Sequence, residues 1–210
     1  MIKNKKHIIF DWNGTLVDDA FVFVDILNVL LVQRGLDEID EKTYRDLFCF
    51  PIKNFYEKIG LDVSQKAFLE LKKMFVKEYN SRRYNPSLFP KTKNILQSLV
   101  NKNLNLYLLS ASHQHVLNDL VEYYGIKDFF DHISGVDNHI ADGKINNGHR
   151  LLKKISCRNK DLILIGDTDH DLEVANSLNI DCILLSCGHQ STKRLKGVSN
   201  NVIKDLTCLF

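Results

Sequence analysis

The chain has 210 residues, of which 44% are hydrophobic and 26% charged, with ten Gly and three Pro. That is enough apolar material for one good core and a small satellite, and the absence of any internal period excludes disordered, collagen-like and low-complexity chains. Lys and Arg total 28 against 26 Asp and Glu, a formal net charge of +2. The basic residues form no continuous stripe, so no nucleic-acid partner is expected.

In chain order, the first strand signal is the apolar run 7–10. The basic residues before it are followed by only these four apolar positions, too few for the core of a signal peptide. Residues 20–32 are the most apolar stretch, but Asp25 and Asn28 interrupt it. It falls short of the roughly 20 apolar residues that cross a bilayer. A buried or interface helix is expected, with no membrane partner, in a monomer or a homodimer. Helical spacing continues over 42–50, 52–59 and 65–79. The polar stretch 81–90, with Pro86 and Pro90, ends that helical series, and a helix over 91–101 follows. Strand composition returns at 104–109, 132–134, 161–165 and 182–185, alternating with helical patterns. This order predicts an α/β fold, a Rossmann-like parallel sheet covered on both faces. The expected division is a core of residues 1–17 and 86–210 around an inserted helical cap, residues 18–85. Cys49, Cys157, Cys182, Cys187 and Cys208 include no C-x-x-C pair, which suits a reducing cytoplasm better than a disulfide framework.

Two strand ends deliver acid. The first strand runs into Asp11-Trp12-Asn13-Gly14-Thr15, and the fourth into Gly166-Asp167-Thr168-Asp169-His170-Asp171. Ligands of open parallel sheets bind at that edge. Clustered carboxylates repel one another and are stabilised by a hard cation such as Mg²⁺. A further strand ends near Ser110-Ala111-Ser112, where a hydroxyl and backbone N–H groups suit an anionic oxygen. Taken singly, Asp, Ser and Thr at such turns are ordinary helix caps. Asp11 differs, because no strong helix start follows it before Asp18 or Asp19.

With both motifs in order, the sequence resembles the haloacid dehalogenase-like superfamily, specifically its phosphoglycolate-phosphatase-like branch with a helical cap. The resemblance spans nearly the whole chain. The family's first motif, Asp-x-Asp-Gly-Thr after a hydrophobic strand, is met at residues 11–15 with one change, and its last, Gly-Asp-(Ser/Thr)-x-x-Asp, is met fully at 166–171. Ser110 matches the second motif. Lys144, in Asp142-Gly143-Lys144-Ile145, matches the third, with Lys153 and Lys154 as rivals. The resemblance implies a phosphohydrolase acting on a small phosphorylated metabolite, with Asp11 as the nucleophile that forms an aspartyl-phosphate. It implies Mg²⁺ held by Asp11, the backbone carbonyl of Asn13, Asp167 and Asp171. Phosphate would be bound by Ser110, Lys144 and the backbone at Trp12, Asn13 and Ala111.

The one change is Asn13, where the family carries its general acid and base. An amide cannot transfer that proton, and such assistance contributes about 10² to 10⁴ in rate. Three accounts follow: substrates with good leaving groups, replacement of the acid by His170, Asp169 or a cap residue, or a degenerate protein that binds a phospho-ligand or partner protein. Cap candidates for substrate contact are Arg34, Arg45, Lys53, Phe48, Phe50, Phe55 and Tyr56. Asp25 could face either the cleft or solvent. His113 and His115, two apart on an expected helix, would point away from each other and hold no zinc.

Overall fold

The computed structural model describes residues 2–136 and 143–210, and Asp142 lies outside them. The chain begins with β1 (His7–Phe10) and β2 (Val17–Asp18), then enters α1 (Ala20–Val32), α2 (Glu41–Leu47), α3 (Ile52–Lys58) and α4 (Gln65–Arg82). It returns through β3 (Ser87–Leu88), α5 (Thr92–Asn101), β4 (Asn105–His113), α6 (Gln114–Tyr123) and β5 (His132–Val136). The last part holds α7 (Lys144–Ile155), β6 (Leu162–Gly166), α8 (Asp169–Leu178), β7 (Asp181–Leu185), α9 (Thr192–Lys196) and β8 (Val202–Ile203).

Six strands form one sheet in the order β5-β4-β1-β6-β7-β8, and all of its pairings are parallel. The expected α/β fold is therefore present. β1 is apolar at nearly every position because both faces of the sheet are covered. Its side chains alternate: Ile8 and Phe10 join one core cluster with Leu108 and Ile165, and Ile9 joins the other with Leu109 and Leu164. From β1 the chain order runs outward on both sides, so the C-terminal ends of β4, β1 and β6 flank a crevice.

A third apolar cluster is built from α1 to α4, including Leu27, Leu30, Tyr44, Phe55 and Leu71. The antiparallel pair β2–β3, Val17 opposite Leu88 and Asp18 opposite Ser87, stands where the chain enters and leaves these helices. No helix among the described residues is long and apolar enough to cross a membrane.

Two local expectations change. β4 runs past the expected end at 109 to His113, with a register shift between Leu109 and His113, so Ser110 and Ala111 lie inside the strand. His113 therefore ends a strand and His115 lies in the first turn of α6, and their rings stack 5.9 Å apart instead of turning away. The only cluster of three or more potential ligands among the described residues nonetheless excludes both. α8 starts at Asp169, where the Thr168 and Asp171 side chains form a reciprocal capping box.

Candidate active site

Asp11 continues β1, its N–H bonded to the Ile165 carbonyl at 2.9 Å. Asp167 and Asp171 follow β6. Each of the three offers one carboxylate oxygen, and those oxygens lie within 4.8 Å of one another. Lys144 opens α7 and reaches into this cluster, its Nζ 2.6 Å from Asp11 Oδ1 and 2.5 Å from Asp171 Oδ1. It is 5% exposed, whereas Lys153 and Lys154 lie on the exposed side of α7. Asp171 Oδ2 accepts bonds from the Asp167 and Thr168 N–H groups and from the Thr168 hydroxyl. Asp167 accepts from the Thr15 hydroxyl at 3.1 Å and from the His189 N–H at 2.7 Å. Two glycines make room: a Cβ at Gly14, where φ is +69°, or at Gly188 would come within 2.3 and 2.2 Å of Asp167 Oδ2.

Burial pushes the Asp11 carboxyl up to about 6, Lys144 opposing the shift and Asp171 adding to it. Burial also lifts Asp167 to about 7; the His189 charge opposes, and Asp171 and Asp11 add to the rise. For Asp171 burial is outweighed by the Lys144 charge and hydrogen bonds, and its carboxyl stays below the usual range. Lys144 is held above its ordinary value by Asp11 and Asp171 despite its burial. Three buried carboxylates against one ammonium leave excess negative charge on hard oxygen donors. That donor set fits a divalent cation such as Mg²⁺.

Replacing Lys144 by Met is expected to destabilise the metal-free protein by about 3–5 kcal/mol at pH 8, since it strands buried charge. The sign follows from the shifts. Asp171, depressed by Lys144, contributes stability above its unfolded value, and the variant forfeits it there. Asp11, already raised, takes a proton as pH falls through about 6, so the deficit shrinks on acidification. Denaturant unfolding of both proteins at pH 8 and pH 5.5 in EDTA reads it, and an equal deficit at both would contradict the assignment.

Ser110 is 1% exposed and its Oγ accepts from the Ser112 N–H at 3.0 Å. The Trp12 N–H bonds to the Asp11 carboxyl and lowers its pKa. The Trp12 ring is fully buried against Tyr124, at 5.8 Å. Ser110, Ala111, Asn13, Lys144, Asp11 and Asp167 all border one cavity.

Asn13 is enclosed by a hydrogen-bond network that its local sequence does not announce. Its Nδ2 donates to Asp19 Oδ2 at 2.5 Å and to the Tyr79 hydroxyl at 2.8 Å, and its Oδ1 accepts from the Ser112 hydroxyl at 3.2 Å. Asp19, fully buried, makes no helix-capping bond at the start of α1. Its Oδ1 instead accepts from the Gly14 N–H and lies 3.2 Å from His189 Nε2. His189 Nδ1 is 2.7 Å from the Tyr44 hydroxyl. Burial opposes charge on His189, and the bond and charge of Asp19 outweigh it, so its pKa is raised. Asp19 reads as a cap in sequence. His189 carried a usable signal, since Cys187-Gly188-His189 follows the buried strand β7 and stands at the same sheet edge as Asp11 and Asp167.

Of the other candidate acids, Asp169 is held by Arg194 and Gln190, whereas His170 borders the same cavity and pairs with Glu173 at 2.8 Å. Of the cap candidates, Lys53, Phe48, Phe50, Phe55 and Tyr56 border the cavity. Arg34 bonds the Leu30 carbonyl, Arg45 pairs with Glu41, and Asp25 is exposed.

A family model described as haloacid dehalogenase-like hydrolase matches residues 8–185. The chain is 24% identical over 192 residues to a phosphoglycolate phosphatase of Synechococcus elongatus, covering 90% of this chain and 87% of that one. It is 20% identical to a pyrophosphatase, PpaX, of Oceanobacillus iheyensis, covering 95% and 92%. The fold is shared with a haloacid dehalogenase-like family protein of Streptococcus pneumoniae, at a TM-score of 0.82 and 23% identity over 96% of this chain and 94% of that one. With the acid-bearing strand ends and the parallel sheet that carries them, the family match over residues 8–185 places the chain in the haloacid dehalogenase-like hydrolase family.

Proposed function

We propose that this protein is a Mg²⁺-dependent phosphatase that works through an aspartyl-phosphate on Asp11. The observation that carries the reading is the buried carboxylate cluster, with Lys144 bridging Asp11 and Asp171 and lining a cavity together with Asp11 and Asp167. Asp11 attacks phosphorus, its oxygen forming a new bond as the bond to the leaving oxygen breaks. Lys144, the Ser110 hydroxyl and backbone N–H groups at Trp12, Asn13 and Ala111 hold the phosphoryl oxygens. Water then attacks the phosphorus, its oxygen forming the new P–O bond as the bond to Asp11 breaks, and, since Asn13 takes no proton, the water's proton passes to a phosphate oxygen or to solvent; the products are inorganic phosphate and free Asp11. Asp11, Asp167 and the Asn13 carbonyl would hold the cation, with Asp171 reaching it through water. When bound, the cation neutralises charge on nucleophile and phosphate. Asn13 can orient groups but transfers no proton, so esters with poor leaving groups turn over slowly. Residues 18–85 act as a cap over a core of residues 1–17 and 86–210, a division supported by the separate apolar cluster of α1 to α4.

A second reading, a phospho-ligand binding protein without useful turnover, rests on Asn13 alone. One panel separates the two. Phosphate release from monoesters, acyl phosphates and pyrophosphate that appears with Mg²⁺ and vanishes in EDTA supports the phosphatase. Ligand-induced stabilisation with no product supports the binder.

The shifted carboxyls also set a pH dependence for the cation. Asp11 and Asp167 hold protons below about 6 and about 7, and those protons compete with Mg²⁺. Affinity for Mg²⁺ should fall about tenfold between pH 7 and pH 6 and more steeply below, where both carboxyls hold protons. The Mg²⁺-induced rise in Tm, measured from pH 8 to pH 5.5, checks it, and a constant shift across that range counts against these ligands.

A further inference from the structure

We infer that the preferred substrates are aryl phosphate monoesters, in which a bulky aromatic group leaves on a phenolic oxygen. The inference rests on the phosphatase reading above and names its substrate class.

Two independent observations lead to it. The first is the shape and lining of the cavity. It measures about 560 Å³, begins at Asp11, Asn13, Ser110 and Lys144, and continues against α1 to α4. That is the volume of a site for a drug-sized ligand, far more than a two- or three-carbon phosphate fills. Its helical wall is aromatic: Phe23 from α1, Phe75 and Tyr79 from α4, and Phe48, Phe50 and Phe55. Phe23 meets Phe75 and Tyr79 edge-on at 5.1 and 5.5 Å, and Phe50 lies 4.8 Å from the His170 ring. Phe23, Phe75 and Tyr79 are only partly buried and Phe50 is 37% exposed, so these rings keep apolar surface for a guest. A small polar substrate would leave them against water, whereas an aromatic group covers them and gains edge and face contacts.

The second observation is the committed state of Asn13. Its amide nitrogen already donates to Asp19 and Tyr79, and its oxygen accepts from Ser112. No proton for a leaving oxygen comes from this side chain. A phenol has a pKa of about 10, against about 15.7 for water. An aryl oxide therefore departs with the electron pair of the broken P–O bond, as Asp11 forms the new bond, and takes its proton from solvent. Short-chain acyl phosphates and pyrophosphate leave at least as readily, but they offer little or no apolar surface to the rings. The pocket and the missing acid select the same chemistry.

The test uses wild-type protein with Mg²⁺ and four substrates: 1-naphthyl phosphate, 2-phenylethyl phosphate, a nucleoside 5′-monophosphate and phosphoglycolate. Binding of naphthylmethylphosphonate and of inorganic phosphate to Asp11→Asn is measured beside it by calorimetry. The expected kcat/KM for naphthyl phosphate exceeds that for phosphoglycolate about 10²-fold or more, and exceeds that for phenylethyl phosphate through kcat. The phosphonate is expected to bind at least about tenfold more tightly than inorganic phosphate. Phe50→Ala is expected to lower kcat/KM for naphthyl phosphate about tenfold. A preference for phosphoglycolate or the nucleotide, with good turnover, overturns the aryl assignment and leaves the phosphatase standing. No turnover of any substrate, with tight phosphonate binding, overturns the phosphatase and retains an aryl-phosphate site. Equal binding of phosphonate and inorganic phosphate overturns the aryl site whatever the kinetics.

Discussion

Replacing Asp11 by Asn lowers Mg²⁺-dependent phosphate release by about 10⁴-fold or more. An amide at this position is neutral, weakly nucleophilic and a poorer cation ligand. Asp11 sits at the end of β1 with its N–H paired to Ile165, so no neighbouring carboxylate stands on the same strand to take over. Asp167 and Asp171 are already bound by Thr15, Thr168, His189 and Lys144. The change need not unfold the protein. Lys144 keeps its contact with Asp171, and the substitution removes a carboxyl whose pKa burial has already raised to about 6. Metal-free stability at pH 8 should therefore hold or rise. Phosphate assays and thermal unfolding of the same preparation read both effects, and activity within tenfold of wild type would sink the proposed nucleophile.

The second large effect is a gain. Asn13→Asp puts a carboxylate where an amide N–H now donates to Asp19 Oδ2 at 2.5 Å. Two carboxylates at that distance cannot both ionise readily and share a proton. The pair then presents an acid near the leaving oxygen at pH values where a lone Asp would be ionised. Alkyl phosphates, which most need protonation of the leaving oxygen, should gain about 10²- to 10³-fold in kcat. Aryl phosphates should gain much less. The pH profile of the variant should acquire a limb, absent from wild type, where the pair titrates. No gain with alkyl phosphates would mean that position 13 does not govern leaving-group protonation in this protein.

The residues behind both effects are legible in the sequence. Asp11 and Asp167 were recognisable because an acid directly after an apolar strand run sits at a sheet edge in any parallel fold. Lys144 was distinguishable from Lys153 and Lys154 only by motif, and it is the folded α7 that buries it beside Asp11 and leaves the other two exposed. Ser110 was read as a strand end, but β4 continues three residues beyond it to His113. A register shift in pairing with β5 allows this, and local sequence carries no sign of it. Asp19 looked like a helix cap because it precedes an apolar helix; its side chain turns away from that role toward Gly14, Asn13 and His189.

The sequence by itself determined the sheet, the helical stretch between β1 and β4 and the two acid-bearing strand ends. These follow from apolar periodicity and from the rule that parallel strands expose their C-terminal ends to ligand, both local in the chain. The tertiary structure alone decided what surrounds Asn13. Asp19, Tyr79 and His189 lie 6, 66 and 176 positions from it along the chain, and nothing in their immediate neighbours announces their meeting. The aromatic wall was equally hidden. Phe48 and Phe55 have the spacing and the burial of ordinary core residues, and only the packing of α1 to α4 leaves surface of Phe23, Phe50, Phe75 and Tyr79 against an open cavity instead of a neighbour. Burial and hydrogen-bond partnership are properties of contacts distant in sequence, and here those contacts set the chemistry.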